Sequence, residues 1–582
     1  MPLAENPIVL DGSVELSKND IGGKAWSIAH MAALGIRVPP AFVLPTSTCW
    51  AYLNGGMTLS EDSKRALREG IAYLEESLHR TFGLGPSPLL VSVRSGAPVS
   101  MPGMMDTVLN LGIDQVVEDK LAVEFADEAF AREVHCRFIE SYGRIVLKAE
   151  VERTQQSSPK ELTEQIANQV DLQVPTDPWE QLFGAVAAVF ESWQSPRART
   201  YRRHWSISDE LGTAVTIQAM VFGNRDEASG TGVIFSRNPM TGEGAPFGEY
   251  LSRGQGEEVV SGERTPQNLS RLAEQIPEVC RELLATASKL EKDARDIQDI
   301  EFTVESGTLY FLQSRVAKRS PRAAVKCAVE MAEAGWITRE EALSRVSADQ
   351  VKILLRPYLT EEYLVNAQIV AQGQPSCPGI AQGIGVTGAD EAVARVGDGE
   401  AVVLLAHNTS PQDLHGMIVS SGICTEVGGS TSHAAVVSRQ LGRPCIVGCG
   451  NEELSALEGK FITVDGFNGV IYVGVDWLPK AKIDEDPDLS TLLAWAREVA
   501  PIKVSTPDVT TNFLDLDLQG ITELDQVVSY VDDRRQVRST LFETLEGIEA
   551  AMNIEGIEIV TEQPLVALLM AMEVANKRSS QR

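Results

Sequence analysis

The sequence is short of positive charge. Its 582 residues hold 51 Lys and Arg against 81 Asp and Glu, a formal net charge of −30. An excess of that size argues against nucleic acid and anionic membrane surfaces as general partners, because both need a basic face. Long apolar runs are also missing: no stretch approaches the roughly 18 residues needed to span a bilayer. The first residues, MPLAENPIVLDG, have neither the basic nor the apolar region of a secretory signal. CxxC pairs are absent. The eight cysteines, Cys49, Cys136, Cys280, Cys327, Cys377, Cys424, Cys445 and Cys449, are scattered. They are expected to be small buried thiols of a cytoplasmic protein, not a disulfide framework or a zinc site. There is no Walker A pattern. One stretch, Gly383 to Gly388, satisfies GxGxxG, but its glycines fall within a strand-like IGV run, so no dinucleotide turn is expected there.

The chain is too long for a single hydrophobic core, and three or four domains of mixed α/β structure are expected. Periodicity predicts helices over 28–34, 65–79 and 180–203, and strands over 88–94, 212–222, 231–235 and 417–420. Residues 1–320 read as one alternating α/β region. Residues 321–371 read as a charged helical connector ending near a Pro/Gly hinge at 366–379. Residues 372–480 read as a compact stretch of short strands and Gly-rich turns. An acidic linker at 480–488 follows, and residues 489–582 read as a small, helix-rich C-terminal domain whose clearest helix lies over 565–574.

Two constellations carry chemistry. From Asp299 onward, the run Ile297–Val304 alternates polar and apolar residues, with Asp299, Glu301 and Thr303 on one face. Ser306-Gly307 makes a two-residue turn, and the returning strand carries Gln313 and Arg315 on one face. Such a hairpin presents carboxylate and amide oxygens suited to Mg²⁺ beside a guanidinium suited to phosphate. Lys24, before a helix, and Arg94, at the end of a buried strand, are further phosphate candidates. Residues 100–106 are a Gly/Met loop able to cover a triphosphate. The second constellation is one of seven histidines. His433 stands in GGSTSHAAVVSR, at the start of a small-residue helix. There a neutral imidazole can attack phosphorus, with helix amides and the hydroxyls of Thr431 and Ser432 nearby to meet the charge it acquires.

The segments IGGKAWSIAHMAALGIRVPPAFVLPT, LLVSVRSGAPVSMPGMMDTVLNLG, GTGVIFSRNPMTGE, QDIEFTVESGTLYFLQSR and GGSTSHAAVVSRQLGRPCIVG resemble the pyruvate, phosphate dikinase family. The resemblance implies an N-terminal ATP-grasp domain, a helical connector and a swivelling phosphohistidine domain. It implies that Lys24 and Arg94 contact ATP phosphates and that Glu301 and Gln313 hold Mg²⁺, with Asp299 and Arg315 assisting. Gln218, Met220 and Val221 would line the adenine, and Arg237 and Glu249 would lie near the phosphates. His433 would be the residue phosphorylated from ATP. In some relatives the threonine matching Thr431 is itself a regulatory phosphorylation site. One departure stands out: Ala406, followed by His407, occupies a position where the dikinases usually carry arginine.

Asp488–Val504 resembles the start of the family's pyruvate- and phosphoenolpyruvate-binding barrel, and no counterpart to that barrel's cysteine motif follows. The expectation is therefore a dikinase-like half-reaction, in which ATP, Mg²⁺ and phosphate (or water) act on this chain. The acceptor, pyruvate or phosphoenolpyruvate, would be bound on a separate barrel-domain subunit. The alternatives are a phosphohistidine relay to a different small molecule, or an ATP-binding regulatory paralogue without turnover. The oligomeric state is left open, a homo-oligomer included.

Overall fold

The computed structural model describes residues 7–99, 101, 104–154, 156–260, 265–355, 359, 367–450, 453–473, 475, 483, 486–507, 513–521, 523–531 and 536–580. Residues 100, 102 and 103 of the loop expected over 100–106, residue 366 of the first hinge (366–379) and residues 480–482, 484 and 485 of the second (480–488) lie outside those residues.

The N-terminal region is built on two five-stranded antiparallel sheets. The first runs Ile8–Val9, Ala41–Leu44, Ala214–Ala219, Val91–Gly96, Thr107–Leu111. The second runs Gln267–Asn268, Phe247–Ser252, Gly230–Phe235, Gln298–Glu305, Thr308–Val316. The alternation over 299–304 behaves as read. Ile300, Phe302 and Val304 are fully buried and join Leu309 and Phe311 in the core beneath the second sheet. Ser306 and Gly307 take positive φ values of 48° and 77°, as a tight hairpin turn requires.

The helix Lys18–Ala33 is broken at Gly22, which has φ 75°. A Cβ at Gly22 would lie 1.9 Å from the Gly96 carbonyl oxygen, so only glycine lets this helix press onto the end of the Val91–Gly96 strand. The contact is sealed by the Gly23 N–H donating to the Ala97 carbonyl at 2.9 Å. Lys24 is thereby set beside the strand that carries Arg94. The helix predicted over 180–203 is two helices, Pro178–Ser192 and Pro196–His204. The break falls at Ser195-Pro196, where Ser195 caps the second helix and proline starts it.

Residues 368–473 form an eight-stranded mixed sheet. Its parallel part, Ile380–Val386, Val402–Ala406, Gly422–Thr425 and Cys445–Val447, is linked by helices that include Leu414–Val419 and His433–Leu441. The run 417–420, read as a strand, belongs mainly to the first of these helices. Its apolar residues are too few for periodicity to separate helix from strand. The GxGxxG glycines at 383 and 385 do lie inside a strand. Cβ atoms there would strike the Ala401 and Leu457 carbonyl oxygens at 2.6 Å, so these glycines serve close backbone packing. All eight cysteines are buried and free.

The C-terminal segment carries a four-stranded parallel sheet, ordered Lys503–Ser505, Glu558–Val560, Gln536–Arg538, Leu514–Asp515. The sequence had indicated little more than helices and a few apolar strands here. Its helices Pro487–Val499 and Pro564–Ser580 share one hydrophobic core with helices of the 321–355 segment, including Val325, Val351, Leu492, Leu568 and Ala571. The helical connector and the C-terminal segment are thus packed as one body.

Candidate active site

A cavity of about 2100 Å³ lies between the two antiparallel sheets and is closed on one side by the mixed sheet's His433 helix. The hairpin register places its polar residues. Asp299 pairs with Arg315 and Glu301 with Gln313 across the two strands, and an irregularity follows between Glu301 and Phe302. On the opposite sheet, Arg94 lies in register with Thr216, and Gln218 sits two residues further along the same strand. Lys24, Arg94, Gln218, Met220, Val221, Glu301, Gln313, Arg315, Thr431 and His433 all line this space.

The charges on the hairpin wall arrive paired. Arg94 donates to Glu301 Oε2 and to Gln218 Oε1, both at 3.2 Å, which ties the two sheets together across the cavity floor. Arg315 donates from Nε to Asp299 Oδ2 at 2.9 Å and approaches the same oxygen through Nη2 at 2.8 Å. Burial alone would raise the Glu301 carboxyl, but Arg94, Arg315 and Lys24 outweigh it and hold Glu301 below the usual carboxylate range. The same logic keeps Arg315 charged: burial opposes its charge, and Asp299 and Glu301 more than restore it. Two buried acceptors in this cluster, Asp299 Oδ1 and Gln313 Oε1, have no hydrogen-bond partner among the described residues. A buried orphan acceptor is costly unless something occupies it. The Glu301 carboxylate and the Gln313 oxygen, both on the cavity wall, are hard donors that fit Mg²⁺, with Asp299 behind them on Arg315.

His433 faces the same cavity from the first turn of its helix. Ser432 caps that helix and accepts from the Ala435 N–H. The His433 Nδ1 lies 3.3 Å from the Thr409 hydroxyl, and Nε2 is shielded from solvent with no partner. Burial pulls the imidazole pKa down to about 4, against which Asp413 acts only weakly. The ring is therefore neutral at pH 7. In the tautomer whose Nδ1–H donates to Thr409, Nε2 is the nitrogen with the free lone pair.

The mixed sheet is held against the N-terminal region by a small set of polar contacts. Glu249 Oε1 accepts from the Ser430 N–H at 2.9 Å and its hydroxyl at 2.8 Å, and Oε2 accepts from the Thr431 hydroxyl at 2.7 Å. A Cβ on Gly429 would stand 2.7 Å from the same carboxylate, so the GGST loop needs its glycine to approach this closely. The fully buried Arg439 donates to the Ser430, Ser376 and Lys318 carbonyl oxygens at 2.9, 3.0 and 3.2 Å. Gln440 donates to the Tyr201 hydroxyl at 2.7 Å.

Four expected site residues are placed differently from the expectation. Arg237 does not reach the cavity; its guanidinium is taken by Glu291 and, at 2.6 Å, by Glu330. Those carboxylates hold it off the cavity lining, so it is not placed to meet a phosphate there. Glu249 also lies off the cavity lining and grips the His433 loop, because it is buried beneath Ser430 and Thr431. Asp299 lies behind Arg315, and Ser432 serves as a helix cap. Ala406 ends a strand, and the neighbouring His407 is held by Glu426 at 2.9 Å.

Thr409, Tyr201, Lys318, Arg439 and Gln440 are site residues that sequence reading gave no role. Gln440 had a local signal, since it lies seven positions after His433 and hence on the same helix face. Arg439 lies on that same helix, six positions after His433; Tyr201 and Lys318 come from distant segments and had none.

The sequence model described as "Pyruvate phosphate dikinase, AMP/ATP-binding domain" matches residues 55–281, and that of "PEP-utilising enzyme, mobile domain" matches residues 398–469. The first ends before the hairpin and begins after Lys24; the second contains His433. Pyruvate, phosphate dikinase of Clostridium symbiosum is 38% identical over 579 residues, covering 92% of this chain and 66% of the relative. The Rhizobium meliloti (strain 1021) enzyme is 40% identical over 533 residues, covering 84% and 59%. Chloroplastic pyruvate, phosphate dikinase 1 of Arabidopsis thaliana is 39% identical over 523 residues, covering 84% and 54%. The chain thus spans between about half and two thirds of the length of these curated relatives. Similarity that runs through both matched domains and along most of this chain makes it a member of the pyruvate, phosphate dikinase family of PEP-utilising enzymes.

Proposed function

We propose that this chain is an ATP-dependent phosphotransferase of the dikinase type, that its N-terminal region is an ATP-grasp domain, and that His433 is the residue phosphorylated. The observation that carries the reading is the orphaned Nε2 of a neutral His433, facing the cavity in which Arg94, Glu301, Gln313 and Arg315 converge. ATP would lie between the two antiparallel sheets. Its adenine would rest by Gln218, Met220 and Val221, and its phosphates would run toward Lys24, Arg94 and Arg315. Mg²⁺ bound by Glu301 and Gln313, with Asp299 supporting, would offset phosphate charge. In a phosphoryl transfer of this kind the protein's work is positioning and charge neutralisation.

The chain's own groups divide that work. The step uses the tautomer in which Nδ1–H donates to the Thr409 hydroxyl and the lone pair sits on Nε2. Nε2 bonds to the β phosphorus, the bond from that phosphorus to the bridging oxygen of the α phosphate breaks, and AMP leaves with the electron pair. Inorganic phosphate then takes the γ phosphoryl group and leaves as pyrophosphate, so that one phosphoryl group stays on His433. In the synthase-like variant water takes it and phosphate leaves.

The acceptor is pyruvate or a related compound presented by a barrel domain on a separate subunit. To reach such an acceptor the mixed-sheet domain must leave the cavity, turning about 366–379 and 480–488. Among the described residues no helix is long and apolar enough to cross a membrane; a cytoplasmic location is part of the same reading.

The test is direct. Purified chain is incubated with Mg²⁺ and ATP labelled at the β position, with and without phosphate. Acid-labile label on the wild type and its loss in His433→Ala are expected. An unlabelled wild type under every condition sinks the proposal. Pyruvate turnover that appears only on adding a barrel-domain protein selects the split enzyme.

A further inference from the structure

Several of the arginines around the cavity are already matched by an acid. Arg94 faces Glu301, Arg315 faces Asp299, Arg197 faces Asp106 and Arg319 faces Asp296. Lys318 is different. It lines the cavity, yet it has no ion-pair partner among the described residues. Its charged neighbours are Arg315 and Arg319, and burial together with these two cations pulls its ammonium below the ordinary lysine range. A part-buried ammonium near two guanidiniums is a standing electrostatic cost that an arriving anion relieves.

Lys318 is also tied to the nucleophile's own helix. Its carbonyl oxygen accepts from Arg439 at 3.2 Å, and Arg439 belongs to the helix that begins at His433. From the next residue of that helix, Gln440 donates to the hydroxyl of Tyr201 at 2.7 Å. Tyr201 is buried, lines the same cavity and feels the charge of Arg315. Since Gln440 supplies the proton in that bond, the phenol's own proton is free to point into the cavity. Lys318 and Tyr201 therefore line the cavity that His433 also lines, and among the described residues neither has an acid partner.

We propose that Lys318 is a further catalytic residue of the His433 phosphorylation step, and that with the Tyr201 hydroxyl it forms the pocket that receives the phosphoryl oxygens during transfer to Nε2. This inference rests on the phosphohistidine reading above. The bonds made and broken are those already given: Nε2 to β phosphorus forms, β phosphorus to bridging oxygen breaks, and AMP carries off the electron pair. Lys318 gains and loses no proton in the step; it meets negative charge that is moving toward His433. An anion-stabilising donor of this kind acts on the rate and leaves ATP affinity nearly unchanged.

Single-turnover labelling of the full chain from β-labelled ATP, beside an equilibrium measurement of ATP binding, tests it. Lys318→Met should slow labelling by about 10²–10³-fold with ATP affinity within a few-fold of wild type. Lys318→Arg should recover part of the rate, and Tyr201→Phe should lose about tenfold. Labelling of Lys318→Met at the wild-type rate, or an affinity loss as large as the rate loss, overturns the inference while the His433 reading stands. A wild type that takes no label overturns both. Should Lys318→Met fail to fold, the Lys318→Arg and Tyr201→Phe rates decide, and wild-type rates in both overturn it.

Discussion

The two walls of the cavity hold their polar groups in opposite ways. On the hairpin wall, Arg94 and Arg315 are ionised and already paired with Glu301 and Asp299. On the His433 wall, the key group is uncharged and its reactive nitrogen has no partner. A polyphosphate needs fixed positive charge waiting for it, and paired guanidiniums hold their geometry at little cost when the site is empty. A nucleophile needs the reverse, a nitrogen kept free of its proton by withdrawal from water. The same burial that would penalise a lone arginine prepares the histidine.

The contrast can be broken at several points, and the largest effect is expected on the charged wall. Arg94→Met leaves Glu301 without its closest cation and frees Gln218. Loss of about 10²–10³-fold in His433 labelling, with weakened ATP binding, is expected; unchanged ATP affinity would remove Arg94 from the nucleotide site. Next comes the latch between the walls. Glu249→Ala removes three acceptor contacts to Ser430 and Thr431, and labelling should slow by roughly ten- to a hundredfold while ATP binding is kept. If ATP affinity falls instead, Glu249 belongs to the nucleotide site after all.

Acid sharpens the comparison further. His433 has a pKa of about 4 when docked, against 6.5 for an ordinary histidine. Protons therefore bind the undocked or unfolded imidazole more tightly. The docked arrangement is fully favoured above about pH 6.5 and should lose about tenfold in its equilibrium for each pH unit between there and about pH 4. A fluorescence distance between the mixed sheet and the N-terminal sheets should lengthen as pH falls through this window, and a distance constant from pH 7.5 to 5 would contradict the burial of His433.

The smallest effect on chemistry is expected far from both walls. Leu492 is fully buried in the core shared by the 321–355 helices and the C-terminal sheet. Leu492→Ala should cost about 2–5 kcal/mol of that body's stability and leave the rate of His433 labelling at 25 °C unchanged. A fall in labelling would show that this body is coupled to the cavity.

Both walls were legible in the sequence, but not every charged residue near them was. The hairpin could be read because its signal is local: a period of two over Asp299 to Val304, a two-residue turn at Ser306-Gly307, and Gln313 and Arg315 two residues apart. The His433 loop could be read because glycines, hydroxyls and a histidine at a helix start are neighbours in the chain. Arg237 and Glu249 could not. Both are charged residues near phosphate-handling segments in sequence, and only folding shows that Glu291 and Glu330 capture the first while Ser430 and Thr431 capture the second. The C-terminal strands were faint for a related reason. They are two or three residues each, too short to establish a period, and they hold together through parallel pairing across long separations.

By itself, then, the sequence determined the local devices: the alternating hairpin, the capped His433 helix, the glycines that permit close approach and the absence of a membrane span. These depend on side chains a few positions apart, and backbone geometry settles them. Tertiary structure alone decided which devices meet. It set Arg94 against Glu301 from a different sheet, put Glu249 under Thr431, brought Tyr201 and Lys318 to the helix of His433, and merged the connector with the C-terminal segment into one core. Those contacts join residues more than a hundred positions apart, where no periodicity reaches and only the packing of whole sheets and helices brings charges together.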